Sequence, residues 1–276
     1  MDNYLLLWSF FIYSFIGWCI EVSFAAIRHK KFVNRGFLNS SLCPIYGVGI
    51  VCVMKILGDY QDNLMLLYFM SVVVTTMIEW ITGFFLEKLF HHKWWDYSNM
   101  PGNIQGYICP LFSLAWGIAC VIIIRWFHPI VCKSIVWIPE IPGKLLMFFL
   151  LCMVIADICV TINTVMELNL RLRKMYKIAE ELEKMSYYLG ESISRNILNG
   201  LEKHEDRMER TEQMKKKYHE LLTNPSNRDR RLLMAFPTIS SLRYGEQLHD
   251  LKRYLHRKKK KYKNEEDDDV SDSCCR

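Results

Sequence analysis

One eleven-residue pattern occurs twice in this chain, and it limits the folds available more than any other feature. The first copy is Gly36-Phe37-Leu38-Asn39-Ser40-Ser41-Leu42-Cys43-Pro44-Ile45-Tyr46. The second is Gly102-Asn103-Ile104-Gln105-Gly106-Tyr107-Ile108-Cys109-Pro110-Leu111-Phe112, at a constant offset of 66 residues. Both follow G-x-[LI]-[NQ]-x-x-[LI]-C-P-[LI]-[YF]. Each copy sits between two long apolar runs, and the run before it carries one acid among apolar neighbours, Glu21 or Glu79. The pattern reads as a two-helix unit used twice within a membrane.

Charge divides the chain in two. Residues 1–166 hold ten Lys/Arg and nine Asp/Glu, whereas residues 167–276 hold twenty-five and twenty. An apolar, sparsely charged part is thus followed by a highly charged one, as in a membrane domain with an aqueous tail. A spanning helix needs roughly 20 mostly apolar residues. Five stretches qualify, at about 4–27, 41–57, 64–86, 107–127 and 145–166. Only Met-Asp-Asn precedes the first, with no basic residue and no small-residue cleavage site, so that span is expected to be retained. Cys19, Cys52, Cys120, Cys152 and Cys159 fall inside apolar spans, and no C-x-x-C pair occurs. Reduced thiols acting as small hydrophobes are expected rather than a disulfide framework.

Lys and Arg in the short loops set the orientation. Loop 28–40 carries Arg28, Lys30, Lys31 and Arg35 without an acid, while loop 58–63 carries Asp59 and Asp62 without a base. Five spans with the amino terminus outside and the tail in the cytoplasm satisfy these loops. Loop 87–106 then lies inside, its lysines Lys88 and Lys93 balanced by Glu87 and Asp96. Pro44 suits the first turn of a helix, with Ser40 or Ser41 as its cap. Pro129, Pro139 and Pro142 are expected to break the loop at 128–144.

The remainder divides at Asn224-Pro225-Ser226-Asn227. Residues 167–223 read as one cytosolic helix. Its apolar positions Leu168, Leu172, Met175, Ala179, Leu182, Leu189 and Ile193 suit either a coiled-coil seam or an amphipathic face laid on the membrane or on its own domain. Residues 224–276 read as a charged tail, largely disordered, with a short helix near 240–256. A basic run from Arg257 to Lys261 and an acidic run from Glu265 to Asp269 follow. Blocks of opposite sign side by side argue against a nucleic-acid arm.

Acids inside membrane helices are functional candidates, because a charge near the bilayer centre costs at least about 2–3 kcal/mol. Glu21, Glu79 and Asp157 each lie roughly 10–15 Å inside the same boundary, at about 1.5 Å of rise per residue. They are expected to form a shared polar centre for a proton, a cation or a substrate. The same acids also suit a purely structural role, bonding the loops that follow and joining two helices. The helix starts at the two Cys-Pro corners carry free N–H groups that suit either ordinary capping or an anionic group held with Asn39, Asn103 and Gln105. Trp94, Trp95 and Tyr97 suit an interfacial aromatic belt or a substrate lining. Asp96 suits a turn. His91-His92 lacks a third ligand at metal spacing. The terminal Cys274-Cys275 forms no lipidation box. No catalytic residue, metal or cofactor is assigned.

Taken as a set, Trp18-x-x-Glu21, Gly36-Phe37-Leu38-x-x-x-Leu42-Cys43-Pro44-Ile45-Tyr46-Gly47, Trp95-Asp96-Tyr97-Ser98 and Asn103-Ile104-x-Gly106 resemble the bacterial ABC-transporter permease family of CmpB type, over about residues 1–170. The resemblance implies a polytopic plasma-membrane protein. No P-loop G-x-x-x-x-G-K-[ST] occurs, so an ATPase is expected on a separate chain. Five spans are few for a permease, and a homodimer or a second membrane subunit is expected to complete a path. The expected fold is all-α: five transmembrane helices, helices 1–2 repeated in parallel by 3–4, and a cytosolic helical tail. Membrane lipids are the expected surroundings. Two other functions fit the same residues, a membrane-embedded enzyme or lipid-handling protein with its carboxylates at the cytosolic side, and a scaffold or sensor acting through its tail.

Overall fold

The computed structural model describes residues 2–30, 32–58, 62–195 and 201–257. Asp59, the runs beyond Arg257 and Cys274-Cys275 lie outside these residues, as do the side chains of Leu189 and Ile193. The chain is 78% helical, in keeping with the all-α class. The helices are α1 (Asn3–His29), α2 (Pro44–Leu57), α3 (Leu64–Phe90), α4 (Pro110–Ile122), α5 (His128–Val136), α6 (Glu140–Arg195), α7 (Leu201–Thr223), α8 (Asn227–Ala235) and α9 (245–257). Two compact units contain them. One is Met1–Thr164 with Arg231–Ser240, and the other is Val165–Arg230 with the residues from Ser241 onward.

Four helical stretches among the described residues are long and apolar enough to cross a membrane: Asn3–Arg28, Leu64–Phe90, Pro110–Val136 and Glu140–Tyr187, the last of which continues from the first unit into the second. Large apolar side chains such as Phe15, Phe69, Phe85 and Phe148 stand exposed along them, as befits helices solvated by lipid rather than water. The expected second span, α2, has fourteen residues and rises only about 21 Å, short of a hydrocarbon core about 30 Å thick. Its start explains this. The Cys43 amide donates to the Ser14 carbonyl at 2.9 Å, so the loop after α1 does not open α2 at the end of α1. It turns back along α1 by about sixteen residues of rise, roughly 24 Å, before α2 begins. The Cys-Pro corner is thus sunk beside the middle of α1.

The second pattern copy does the same against α3. A Cβ on Gly83 would sit 3.0 Å from the Tyr107 ring, although α3 runs on to Phe90. Both long helices begin at an acidic or amide side chain that accepts a backbone amide, Asp2 from Tyr4 at 3.4 Å and Asn63 from Leu66 at 3.1 Å. Both stop at a non-glycine residue in the left-handed region, Lys30 (φ 52°) and His91 (φ 57°). Both partner helices start at a Cys-Pro step with proline in the first turn and no side-chain cap. The missing proline N–H is one of the orphan donors of a first turn, so it costs nothing there. Ser40 and Ser41 do not cap α2; the backbone of Ser40 is engaged elsewhere.

Close approach holds each pair together. A Cβ on Gly47 would come within 2.4 Å of the Phe10 carbonyl oxygen, and one on Gly117 within 2.3 Å of Val72. The two pairs meet around Tyr13, Ile50, Val53, Leu67, Val74, Cys120 and Ile124. A second core joins Trp8, Phe11, Leu38, Ile135, Met147 and Val154.

The prolines behave differently from expectation. The helix begun at Pro110 passes Pro129 and ends at Val136 because a π-helical turn, Ile123–Phe127, precedes it. The His128 amide donates to the Ile123 carbonyl, five residues back, and this wider turn makes room for a ring that would clash in a regular helix. Pro142 lies in the first turn of α6, where it needs no acceptor. Only the short stretch 137–139 breaks the helices here.

In the second unit, Leu168, Leu172 and Met175 of the expected seam are fully buried. α7 runs back along α6: Thr211 Oγ1 meets Met185 Sδ at 3.6 Å, and Arg171 donates to the carbonyls of Leu221 and Asn224 at 3.0 and 2.8 Å. The seam is covered by the chain itself. Asn224–Asn227, expected as a breaker, forms a capping box for α8, with Ser226 and Asp229 bonding each other's amides at 3.1 Å. The tail expected to be largely disordered is helical over much of its described part, in α8 and α9. Tyr218 on α7 donates to Asp250 on α9 at 2.9 Å.

Candidate functional site

The turned-back loops place side chains at the depth of the acids. Glu21 on α1 accepts the Tyr46 hydroxyl at 2.8 Å, and its other oxygen lies 3.6 Å from Arg35. Glu79 on α3 accepts the Tyr97 hydroxyl at 3.3 Å. The two arrangements are alike in chemistry but not in sequence position. The pattern repeats at 66 residues while the glutamates are 58 apart, so the second loop is longer. Tyr46 has Phe112 as its counterpart, which lacks a hydroxyl. Tyr97, from the longer loop, stacks on Phe112 with ring centroids 5.0 Å apart and supplies the missing hydroxyl to Glu79. Trp116 packs edge-on against Tyr46 at 5.5 Å. The charge of Glu21 also acts on the Tyr97 phenol, and Tyr97 acts on the Tyr46 phenol. Glu21, Tyr46, Tyr97 and Glu79 thus form one centre between the two helix pairs.

Glu79 is only 9% exposed, and its Oε2 has no hydrogen-bond partner. A buried carboxylate oxygen without a donor is costly, and this atom is the one unsatisfied acceptor of the centre.

Asp157, expected to share that centre, is occupied elsewhere. Its carboxylate accepts the Asn39 amide at 3.1 Å, the Asn39 side chain at 2.8 Å and the Ser40 amide at 2.7 Å. It binds the first loop to α6. Asn39 also reaches Thr161 at 3.2 Å. Upstream, Asn34 accepts from Trp18 at 2.8 Å and from the Gly36 amide at 3.0 Å.

In the second loop, Trp95, Asp96 and Asn103 build the turn. Trp95 donates to the Tyr107 carbonyl at 2.8 Å. Asn103 donates to the Met100 carbonyl at 2.8 Å and accepts from the Gly106 amide at 3.2 Å. Gly102 and Gly106 take φ of 72° and 74°, and a Cβ on Gly106 would lie 2.4 Å from Asp96. Burial acts to raise the Asp96 carboxyl, but the hydroxyl and amide of Ser98 and the charge of Lys93 outweigh it and hold Asp96 below the usual carboxylate range. Lys93 also donates to the Gln105 carbonyl at 3.2 Å. His91 caps α3, His92 is fully buried, and no group of three metal-ligating side chains occurs among the described residues.

One contributor carried no sequence signal. Arg231, in the stretch read as charged tail, donates to three successive carbonyls of the first pattern copy: Gly36 at 3.2 Å, Phe37 at 3.3 Å and Leu38 at 2.9 Å. Five residues later Phe236 packs edge-on against Trp94 at 5.0 Å, and Trp94 packs against Phe37 at 4.9 Å. The segment Arg231–Ser240 therefore ties both loops together. A second polar cluster was equally unforeseen: Tyr13 and His128 Nδ1 are 3.3 Å apart, with Cys132 Sγ 3.2 Å from His128 Nε2.

No curated protein and no solved structure gives a match. The family model described as "Putative ABC-transporter type IV" matches residues 8–162, which include α2, α3 and α4 and all of α1 from Trp8 onward. The chain belongs to this CmpB-type ABC-transporter family.

Proposed function

We propose that this chain is the permease subunit of an ABC-type transporter, driven by an ATPase on a separate chain, and that the Glu21–Tyr46–Tyr97–Glu79 centre handles the transported cation or a coupled proton. The observation that carries the reading is Glu79: a buried acid in a membrane-length helix with one carboxylate oxygen left without a donor. Retaining such a group in lipid is costly, and it is the sort of residue that marks an ion pathway. The membership in an ABC-transporter family supports the transport class.

In this reading the chain crosses the bilayer five times. α2, although short, is completed by the loop before it, whose backbone is buried against α1 as non-helical chain at membrane depth must be. The two helix pairs then act as a parallel repeat, and their matching starts and stops support this. Asn39, Asn103, Trp95 and Asp96 shape the loops, and Tyr97 reaches the centre. The amino terminus lies outside, the tail lies in the cytoplasm, and a homodimer in the plasma membrane supplies the path.

Affinity purification of the chain in mild detergent is expected to retain an ATPase with a P-loop. With Glu79→Gln the complex is expected to assemble and melt as before, while transport-coupled ATP hydrolysis falls at least about tenfold, the loss of roughly 1.4 kcal/mol of transition-state stabilisation. Failure to retain any P-loop ATPase would overturn the permease assignment. Loss of folding in Glu79→Gln would reduce the centre to a structural clasp.

A further inference from the structure

We infer that the second unit carries a binding site for the phosphate headgroup of an anionic lipid, in a groove between α6 and α7. This goes beyond the transport reading and does not depend on it. The groove is shallow and open, with a volume of about 580 Å³, and is lined by Arg171, Lys174, Lys177 and Lys217, with Glu220 as its acid and Leu221 among its apolar residues.

The cations have unequal duties. Arg171 is committed, paired through Nε to the buried Asp229 at 3.3 Å and donating to two carbonyls. It fixes the wall. Lys174, Lys177 and Lys217 line the same space and make no ion pair among the described residues. Three ammonium groups around one groove with a single lining acid leave an excess of positive charge, which a phosphate oxygen cluster would neutralise.

Position selects the source of that phosphate. α6 is one continuous helix, and its apolar run closes at Met166, followed by Glu167 and then the basic residues. Lys174 and Lys177 stand about 12 and 17 Å beyond Met166 along the axis, close outside a bilayer's polar layer of roughly 5–8 Å. Side chains on a helix lean toward its amino end, so on α6 they lean back toward the apolar run. Lysines clustered next to a spanning helix are attracted to anionic headgroups by about 1 kcal/mol each. A soluble phosphate compound would meet the same charges without this advantage of place.

The test uses the full chain in neutral detergent and an amine-acylating reagent, read residue by residue by mass spectrometry. Short-chain phosphatidylglycerol is expected to slow acylation of Lys174, Lys177 and Lys217 at least about fivefold relative to Lys184, the factor expected for a residue worth about 1 kcal/mol. Short-chain phosphatidylcholine and inorganic pyrophosphate are expected to leave the rates unchanged. In calorimetry, the triple replacement Lys174→Gln, Lys177→Gln and Lys217→Gln is expected to weaken phosphatidylglycerol binding about 100-fold. Unprotected lysines would overturn the site. Equal protection by pyrophosphate would overturn the headgroup assignment in favour of a soluble ligand, and unchanged affinity in the triple variant would place the lipid elsewhere.

Discussion

Asp157→Ala is expected to destabilise the membrane domain by about 4 kcal/mol, because three donors lose a charged acceptor at once. The carboxylate takes the Asn39 amide, the Asn39 side chain and the Ser40 amide. These belong to a non-helical loop sunk beside the middle of α1, where lipid offers no replacement. In a soluble protein water would repair part of this loss. Asp157→Asn keeps one acceptor oxygen but turns an NH₂ group toward donors, and is expected to cost about 2 kcal/mol. Unfolding of the purified chain by titrated denaturing detergent measures both. A loss below about 1 kcal/mol for Asp157→Ala would mean that the loop finds other partners.

Arg231→Ala is expected to cost about 3 kcal/mol, since hydrogen bonds to a charged donor are the strong ones and here three carbonyls share one guanidinium. Burial works against the charge of Arg231, and the carboxylate of Asp157 partly restores it. Both residues hold the first loop, so their effects should not add: the double variant is expected to lose less than the sum. Arg231→Lys should rescue little, because a point charge cannot reach the Gly36, Phe37 and Leu38 carbonyls together as a planar fork does. Hydrogen exchange should report the change first at the amides of loop 32–43. A variant that melts like the parent, with that loop still protected, would show that the other contacts of the segment hold it unaided.

The architecture was legible where the physics is local. Apolar runs of spanning length, the Cys-Pro helix starts and the acids among apolar neighbours can be read from residue types alone. The depth of the loops could not. Whether the chain after Lys30 leaves the bundle or turns back depends on the Cys43 amide finding the Ser14 carbonyl, a contact across twenty-nine residues. For the same reason Asp157 could not be separated from the glutamates: all three are acids at similar depth, and only their partners distinguish them. Tyr97 stood among the candidate residues, but its pairing with Glu79 rests on Phe112 lacking the hydroxyl that Tyr46 has. Arg231 had no signal, because an arginine in a charged stretch looks solvated until its carbonyls are known. Pro129 misled because a proline breaks a regular helix, and the π-helical turn that accommodates it leaves no compositional trace.

Both loops are expected to enter from one face, bringing Tyr46 and Tyr97 to Glu21 and Glu79. Labelling of intact cells with a membrane-impermeant thiol reagent, in chains carrying Lys30→Cys, Lys93→Cys or Asp62→Cys, tests this most directly. Positions 30 and 93 are expected to react only after the membrane is opened, and position 62 to react without opening, each above the background of the parent chain. Positions 30 and 93 labelling from opposite faces would rule out entry of the two loops from one face.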